Sequence, residues 1–369
     1  MSSQYRVAFL TGSQKLEMGY LPIPKVRPNE VLVRIRQANV CPTDMKKYYN
    51  LDDKSVVDLH EHGPVILGHE ASGVIETMGS MVSGFKPGDR VAIDPMLPCG
   101  TCDYCRAGDF PMCKNLRALG VSAGSITDSQ ELLTEGIGGV FADYVKVPAE
   151  NLYHLPDGLS FQAGAMMEPL ADVLHSLEVG NPHAGETAVV FGLGAMGLMH
   201  IQVMHSLGVE NIIGIDPIDT RREKAKQFGA SLTINPDKDD PITILKDTTH
   251  GLGAEIIFVC AGGGSQTKCA SQALKSIRKK GRILLYASAL KPAEIIVDIN
   301  QIHYSMIKFT GTVGFFPNHA RLALEYLQEG QVDFNAIRTL SMPLEKLEEA
   351  FNLNKRSDVL KVGVDISHE

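Results

Sequence analysis

The chain has 369 residues, 44% of them hydrophobic and 21% charged, with 35 Lys plus Arg against 43 Asp plus Glu for a net charge of −8. At roughly 150 residues per domain that length suggests two domains with one core each. No apolar run approaches the ~18 residues that span a bilayer, and no basic stripe supplies the electrostatics of nucleic-acid binding, so neither a membrane nor DNA or RNA is expected as a partner.

Residues 1–7 lack the basic-then-apolar pattern of a secretory signal and run directly into strand-like sequence, which points to a cytoplasmic protein. Short β-rich stretches follow at 7–10, 30–38, 71–78 and 90–93, punctuated by turns such as Lys86-Pro87-Gly88-Asp89. They predict a mainly antiparallel, barrel-like domain. Cys41-Pro42-Thr43-Asp44 and Gly68-His69-Glu70 fall within it. Neighbouring side chains on a strand point to opposite faces, so His69 and Glu70 face one metal only if the backbone turns, and Gly68 makes that easier. One thiolate, one imidazole and one carboxylate leave a fourth position open, as in a catalytic zinc site. Asp44 is better placed to orient the His69 ring. Each of these residues is unremarkable alone, since a single buried Cys or His is more often core than ligand.

Cys99, Cys102, Cys105 and Cys113 lie within fifteen residues of one another, out of seven cysteines in all. Thiols in a reducing compartment stay free for metal, and four thiolates so spaced predict a closed, structural zinc. Two long loop-like stretches, 48–63 and 120–139, are either functional or tolerated surface insertions.

From about Glu186 the rhythm becomes strand, tight turn, helix, with strand-like runs at 187–191, 211–215, 255–259 and 282–286. This predicts a parallel, doubly wound sheet. Asp240 before Pro241 caps one helix, and Gly208 and Gly229 close two others. Gly192-Leu193-Gly194-Ala195-Met196-Gly197 follows the first of these strands and opens an apolar helix, and a second strand ends in Asp216, nineteen residues past Gly197. In that context the glycines bring backbone to a pyrophosphate at a helix N-terminus, and Asp216 accepts the ribose hydroxyls. A carboxylate there repels a 2′-phosphate, so NAD is expected over NADP; Arg221 and Arg222 are the residues that offer a phosphate an alternative.

Taken in order, these motifs resemble the zinc-containing medium-chain alcohol dehydrogenases, in particular the sorbitol and polyol dehydrogenase branch. The resemblance rests on Cys41 to Asp44, Gly68 to Glu70, Phe85-Lys86-Pro87-Gly88-Asp89-Arg90-Val91, the four-cysteine lobe, Glu168-Pro169-Leu170-Ala171 and the glycine fingerprint. It implies an α/β protein with a GroES-like catalytic domain at 1–162, carrying the structural zinc lobe at about 95–115. A Rossmann domain at 163–316 and a return to the catalytic domain at 317–369 follow. It further implies an active site in the cleft between domains, a homodimer or homotetramer, and two zinc ions per chain.

Carried over by position, the resemblance makes Cys41, His69 and Glu70 the catalytic zinc ligands, with Glu168 a fourth contact, direct or through water. Thr43 corresponds to the hydroxyl that touches the reacting oxygen. In that scheme a zinc-bound alcohol loses its proton and passes a hydride to the nicotinamide. Three departures bear on the substrate. Lys46 stands where many relatives carry a histidine, the loop at 48–63 is longer, and Gly314-Phe315-Phe316-Pro317-Asn318 lacks the arginine of the polyol enzymes. Lys46 either relays the proton or contacts the cofactor, in which case water, His60 or His62 carries the proton. The expected reaction is oxidation of a small secondary alcohol, a polyol or vicinal diol, with a threonine-type amino-alcohol dehydrogenase as the alternative. A zinc-free quinone reductase is disfavoured by the cysteines and His69, and a non-catalytic zinc- and NAD-binding protein is the alternative of a different class.

Overall fold

The computed structural model describes residues 4–49, 64–120 and 138–367. Both long loops of the sequence reading, with His60 and His62, lie almost wholly outside the described residues. The chain divides into two compact units. The first comprises Met1–Pro169, Phe316–Glu329 and Phe334–Glu369, the second Leu170–Phe315 and Gly330–Asp333.

In the first unit, β1 (Gln4–Gly12) lies antiparallel between β2 (Lys15–Pro22) and β4 (Val65–Ile66). A second sheet is built around β3 (Glu30–Asn39), which pairs antiparallel with β5 (Glu70–Met78) and with the later strands β9 (Tyr144–Pro148) and β18 (Lys361–Asp365). Beyond β5 come β6 (Arg90–Ile93) and β10 (Leu152–His154), while β7 (Met96–Leu97) and β8 (Arg117–Ala118) form a separate ribbon beside the cysteine lobe. Helix α1 (Pro42–Tyr48) follows β3 directly, and α2 (Met167–Gly180) leads into the second unit.

The second unit carries six parallel strands in the order β13, β12, β11, β14, β15, β16. They are β11 (Thr187–Phe191), β12 (Asn211–Ile215), β13 (Leu232–Ile234), β14 (Ala254–Val259), β15 (Ile277–Leu285) and β16 (Lys308–Gly311). The central strands are buried on both faces, which is why they read as unbroken apolar runs. Helices α3 (Ala195–Ser206), α4 (Asp219–Gln227), α5 (Pro241–Thr248), α6 (Gln266–Ser276) and α7 (Ile299–Ser305) alternate with them. Asp240 caps α5, its carboxylate accepting from the Ile242 and Thr243 amides at 3.3 and 3.2 Å. The two outermost strands, β13 and β16, were not foreseen. Each is short, and β16 is mostly exposed, so neither shows the apolar run that marks the inner four.

The chain then returns to the first unit as β17 (Arg338–Pro343) and β18 (Lys361–Asp365), a parallel pair that completes the order β10, β6, β5, β3, β18, β17. Polar residues of the central strand find partners here. Gln37 donates to Asp365 at 2.7 Å, and the Arg338 guanidinium reaches Gln37 and Asn39 at 2.5 and 3.2 Å. A buried polar row of this kind is tolerated because its members satisfy one another.

Candidate metal and nucleotide sites

The chain turns from β3 into α1 at Cys41, the N-cap, with Pro42 at the first helical position, where a missing N–H costs nothing. The Cys41 amide donates to Asp44 Oδ2 at 3.0 Å, and Asp44 Oδ1 accepts from the Gly68 amide at 3.0 Å. One fully buried carboxylate thus ties the helix to the turn that carries His69 and Glu70. Gly68 has φ +93°, and a side chain there would press on the Phe141 ring, so glycine makes the turn before β5 possible. The outcome is convergence. The ligand atoms of Cys41, His69 and Glu70 all lie within 4.8 Å of one another.

His69 Nδ1 stands 3.3 Å from Asp44 Oδ1, close enough for charge pairing although the geometry is not that of a hydrogen bond. Burial pushes the imidazole down, but the Asp44 carboxylate and then Cys41 outweigh it and hold it well above the usual histidine range. Burial raises the Cys41 thiol, against the pull of His69. A thiolate, an imidazole and a carboxylate within this span, with the ring backed by a carboxylate, fit a zinc ion with one coordination position open.

Lys361 was missed by the sequence reading. It is 2% exposed, and its ammonium lies 2.6 and 2.7 Å from the two oxygens of Glu70. Burial lowers its pKa, but Glu70, then Cys41, and also Glu168 raise it above the ordinary lysine value. The available signal was a lysine flanked by Leu360 and Val362 in a terminal strand. Glu168 stands in the first turn of α2, outside the three-residue cluster, although its charge is felt at Lys361. Thr43 and Lys46 sit half-buried on α1, Lys46 in its last turn.

Cys99, Cys102, Cys105 and Cys113 form the second cluster, again with all sulfurs within 4.8 Å. The Thr101 amide and hydroxyl push Cys99 down to about 5, and the amides of Cys105 and Lys114 lower Cys102. Burial pushes Cys105 up to about 12. Amides aimed at sulfur stabilise thiolates, and four sulfur donors this close suit a closed tetrahedral ion.

In the second unit, Gly192 to Gly197 joins β11 to α3, with Gly194 as the N-cap. A side chain on Gly192 would strike the Ala261 backbone and one on Gly197 the Gly192 carbonyl, whereas nothing lies within 4 Å of one on Gly194. The first and third glycines allow close packing, and the second leaves space above the amides of Ala195 and Met196. Asp216 follows β12 and is 4% exposed; its Oδ2 accepts from the Leu193 amide at 2.8 Å and its Oδ1 from Ile218 at 2.9 Å. Arg221 approaches the carboxylate at 3.8 Å, while Arg222 is engaged by the Asp216 carbonyl and by Asp219.

His200 on α3 was also unforeseen. It is fully buried, joined to the Met196 carbonyl at 2.8 Å and to Ser176 at 3.1 Å, and burial pushes it down to about 4. The neutral ring donates from Nδ1 to the carbonyl and so pins the first turn of the glycine-loop helix.

Residues 27–157 match the alcohol dehydrogenase GroES-like domain, and residues 195–329 match the zinc-binding dehydrogenase domain. The chain is 31% identical over 345 residues to an L-threonine 3-dehydrogenase of Bacillus velezensis, covering 93% of each. It is 28% identical to a sorbitol dehydrogenase of Bacillus subtilis, covering 97% of this chain and 96% of that one. The solved 2R,3R-butanediol dehydrogenase of Bacillus subtilis superposes with a TM-score of 0.83 at 26% identity, over 98% of this chain and all of that one. No helix among the described residues is long and apolar enough to cross a membrane. With a GroES-like and a zinc-binding dehydrogenase domain along one chain, and relatives matched over nearly its whole length, the protein belongs to the zinc-containing medium-chain alcohol dehydrogenases, oxidoreductases that use zinc and a nicotinamide cofactor.

Proposed function

We propose that the protein oxidises a secondary hydroxyl of a polyol or vicinal diol with NAD, and holds two zinc ions per chain. The observation that carries this reading is the convergence of Cys41, His69 and Glu70 on one point, with Asp44 behind the imidazole. Cys41, His69 and Glu70 would hold a zinc ion that would lend Lewis acidity to the alcohol oxygen, and the glycine loop would hold a nicotinamide dinucleotide that would serve as hydride acceptor. The chain's own residues do the rest. Thr43 hydrogen-bonds the reacting hydroxyl and takes part in passing its proton outward, Lys46 either continues that relay or contacts the cofactor, and Asp216 receives the adenosine ribose. Glu168 contributes a further contact to the metal, directly or through water. The Asp216 carboxylate, buried and held by the Leu193 and Ile218 amides, would repel a 2′-phosphate and supports NAD over NADP.

The relatives' names span threonine, sorbitol and butanediol dehydrogenases, and the identity to the threonine enzyme favours an amino alcohol as the second substrate reading. A panel of polyols, vicinal diols and L-threonine, offered with NAD and with NADP and followed by reduced-nicotinamide absorbance, decides both questions. A diol or polyol turned over with NAD supports the reading; turnover of threonine alone replaces it. Assembly as a homodimer or homotetramer belongs to the same proposal. The edge of β16, unpaired among the described residues, supports it, as do Ile296, Ile299 and Tyr304 shortly before it in the chain, which are 98%, 81% and 75% exposed.

A further inference from the structure

A buried ammonium is costly unless paired, and that of Lys361, at the start of β18, is on a residue only 2% exposed. Its partner is a residue of the metal cluster. Both Glu70 oxygens are engaged, at 2.6 and 2.7 Å, yet each retains a further lone pair for a metal. Cys41 and Glu70 as anions bring two negative charges to one point, and Lys361 cancels one of them. We infer that Lys361 is a positioning residue of the metal site that acts through Glu70: paired to both of its oxygens, it keeps the cluster one charge more positive than its ligands alone. A divalent cation is then held less tightly, and more of its charge is left for the substrate oxygen. The inference rests on Cys41, His69 and Glu70 being the ligands.

The test is the rate at which zinc-loaded, full-length protein surrenders metal to a chelator, the relevant fraction being the metal that Cys41→Ser lacks. Lys361→Met should slow that release about tenfold, by the scale of charge changes next to metal ligands, and Lys361→Arg should match the wild type. After cobalt substitution, the thiolate-to-cobalt absorption should shift in Lys361→Met and not in Lys361→Arg, which a packing role alone would not produce. A folded Lys361→Met that releases metal at the wild-type rate or faster, with an unshifted spectrum, overturns the inference. Should that variant not fold, Glu70→Gln carries the test, because it leaves the ammonium unpaired. Release about tenfold faster than from Glu70→Gln/Lys361→Met supports the inference, and equal rates overturn it. Wild-type protein that holds no more metal than Cys41→Ser would refute the ligand assignment, and with it the role given to Lys361, an outcome distinct from a loaded wild type matched by Lys361→Met.

Discussion

Asp44 shows how one side chain links local structure to chemistry: its two oxygens receive the Cys41 and Gly68 amides while it stands behind His69. Cys41→Ala and His69→Ala should abolish turnover in a chain that still melts cooperatively, because the four-cysteine cluster is separate; residual turnover near wild type would exclude a catalytic metal there. Asp44→Asn removes the charge behind His69 and keeps only one of the two amide contacts, because its NH2 cannot accept from a backbone N–H. A loss of about 10- to 100-fold in metal affinity is expected, measured by competition with a chromophoric chelator. For Asp216→Ala, the ratio of NADP to NAD activity should rise, with Arg221 then available to the 2′-phosphate. A wild type that already prefers NADP would defeat that account. Cys41, His69 and Asp216 were legible in the sequence because each belongs to a short motif with its own local geometry. Lys361 was not, since 291 residues separate it from Glu70 and only the return of β18 to β3 brings them together.

Elements were legible where they are buried. The inner strands of the parallel sheet and the capped helix α5 announce themselves by apolar runs and by Asp240-Pro241, whereas β13 and β16 depend on the neighbour each pairs with. The cysteine lobe contains little regular structure among its described residues, so its stability should depend on the ion; Cys102→Ser should lower the melting temperature, and an unchanged melt would remove the structural assignment. Glu186, just before β11, pairs with Arg282 of β15, each side chain less than a fifth exposed. Burial raises the Glu186 carboxyl, but the Arg282 hydrogen bond and the His183 amide bring it below its ordinary 4.5. A carboxyl whose pKa is lower in the folded than in the unfolded state contributes stability above the ordinary value and loses it as pH falls through the folded one. Glu186→Gln should therefore cost about 1–2 kcal/mol at neutral pH. Its deficit relative to the wild type in chemical denaturation should shrink as the pH falls below 4.5; a deficit constant from neutral to strongly acid pH would show that the charge contributes nothing.

At the scale of the whole molecule, the chain builds one unit, leaves it for a complete parallel sheet, and returns to add β17 and β18 to the first. That return delivers Lys361 to the metal cluster, so the last strand of the chain belongs to the site as much as to the fold. The proposed function requires metal at Cys41, His69 and Glu70 for hydride transfer to NAD. The most direct measurement is NAD reduction with a vicinal diol or polyol by the zinc-loaded protein, by the same protein after selective removal of the Cys41-dependent metal, and after zinc is restored. Turnover should be present, vanish and return, in step with the metal content. Turnover that persists without that metal would contradict the account.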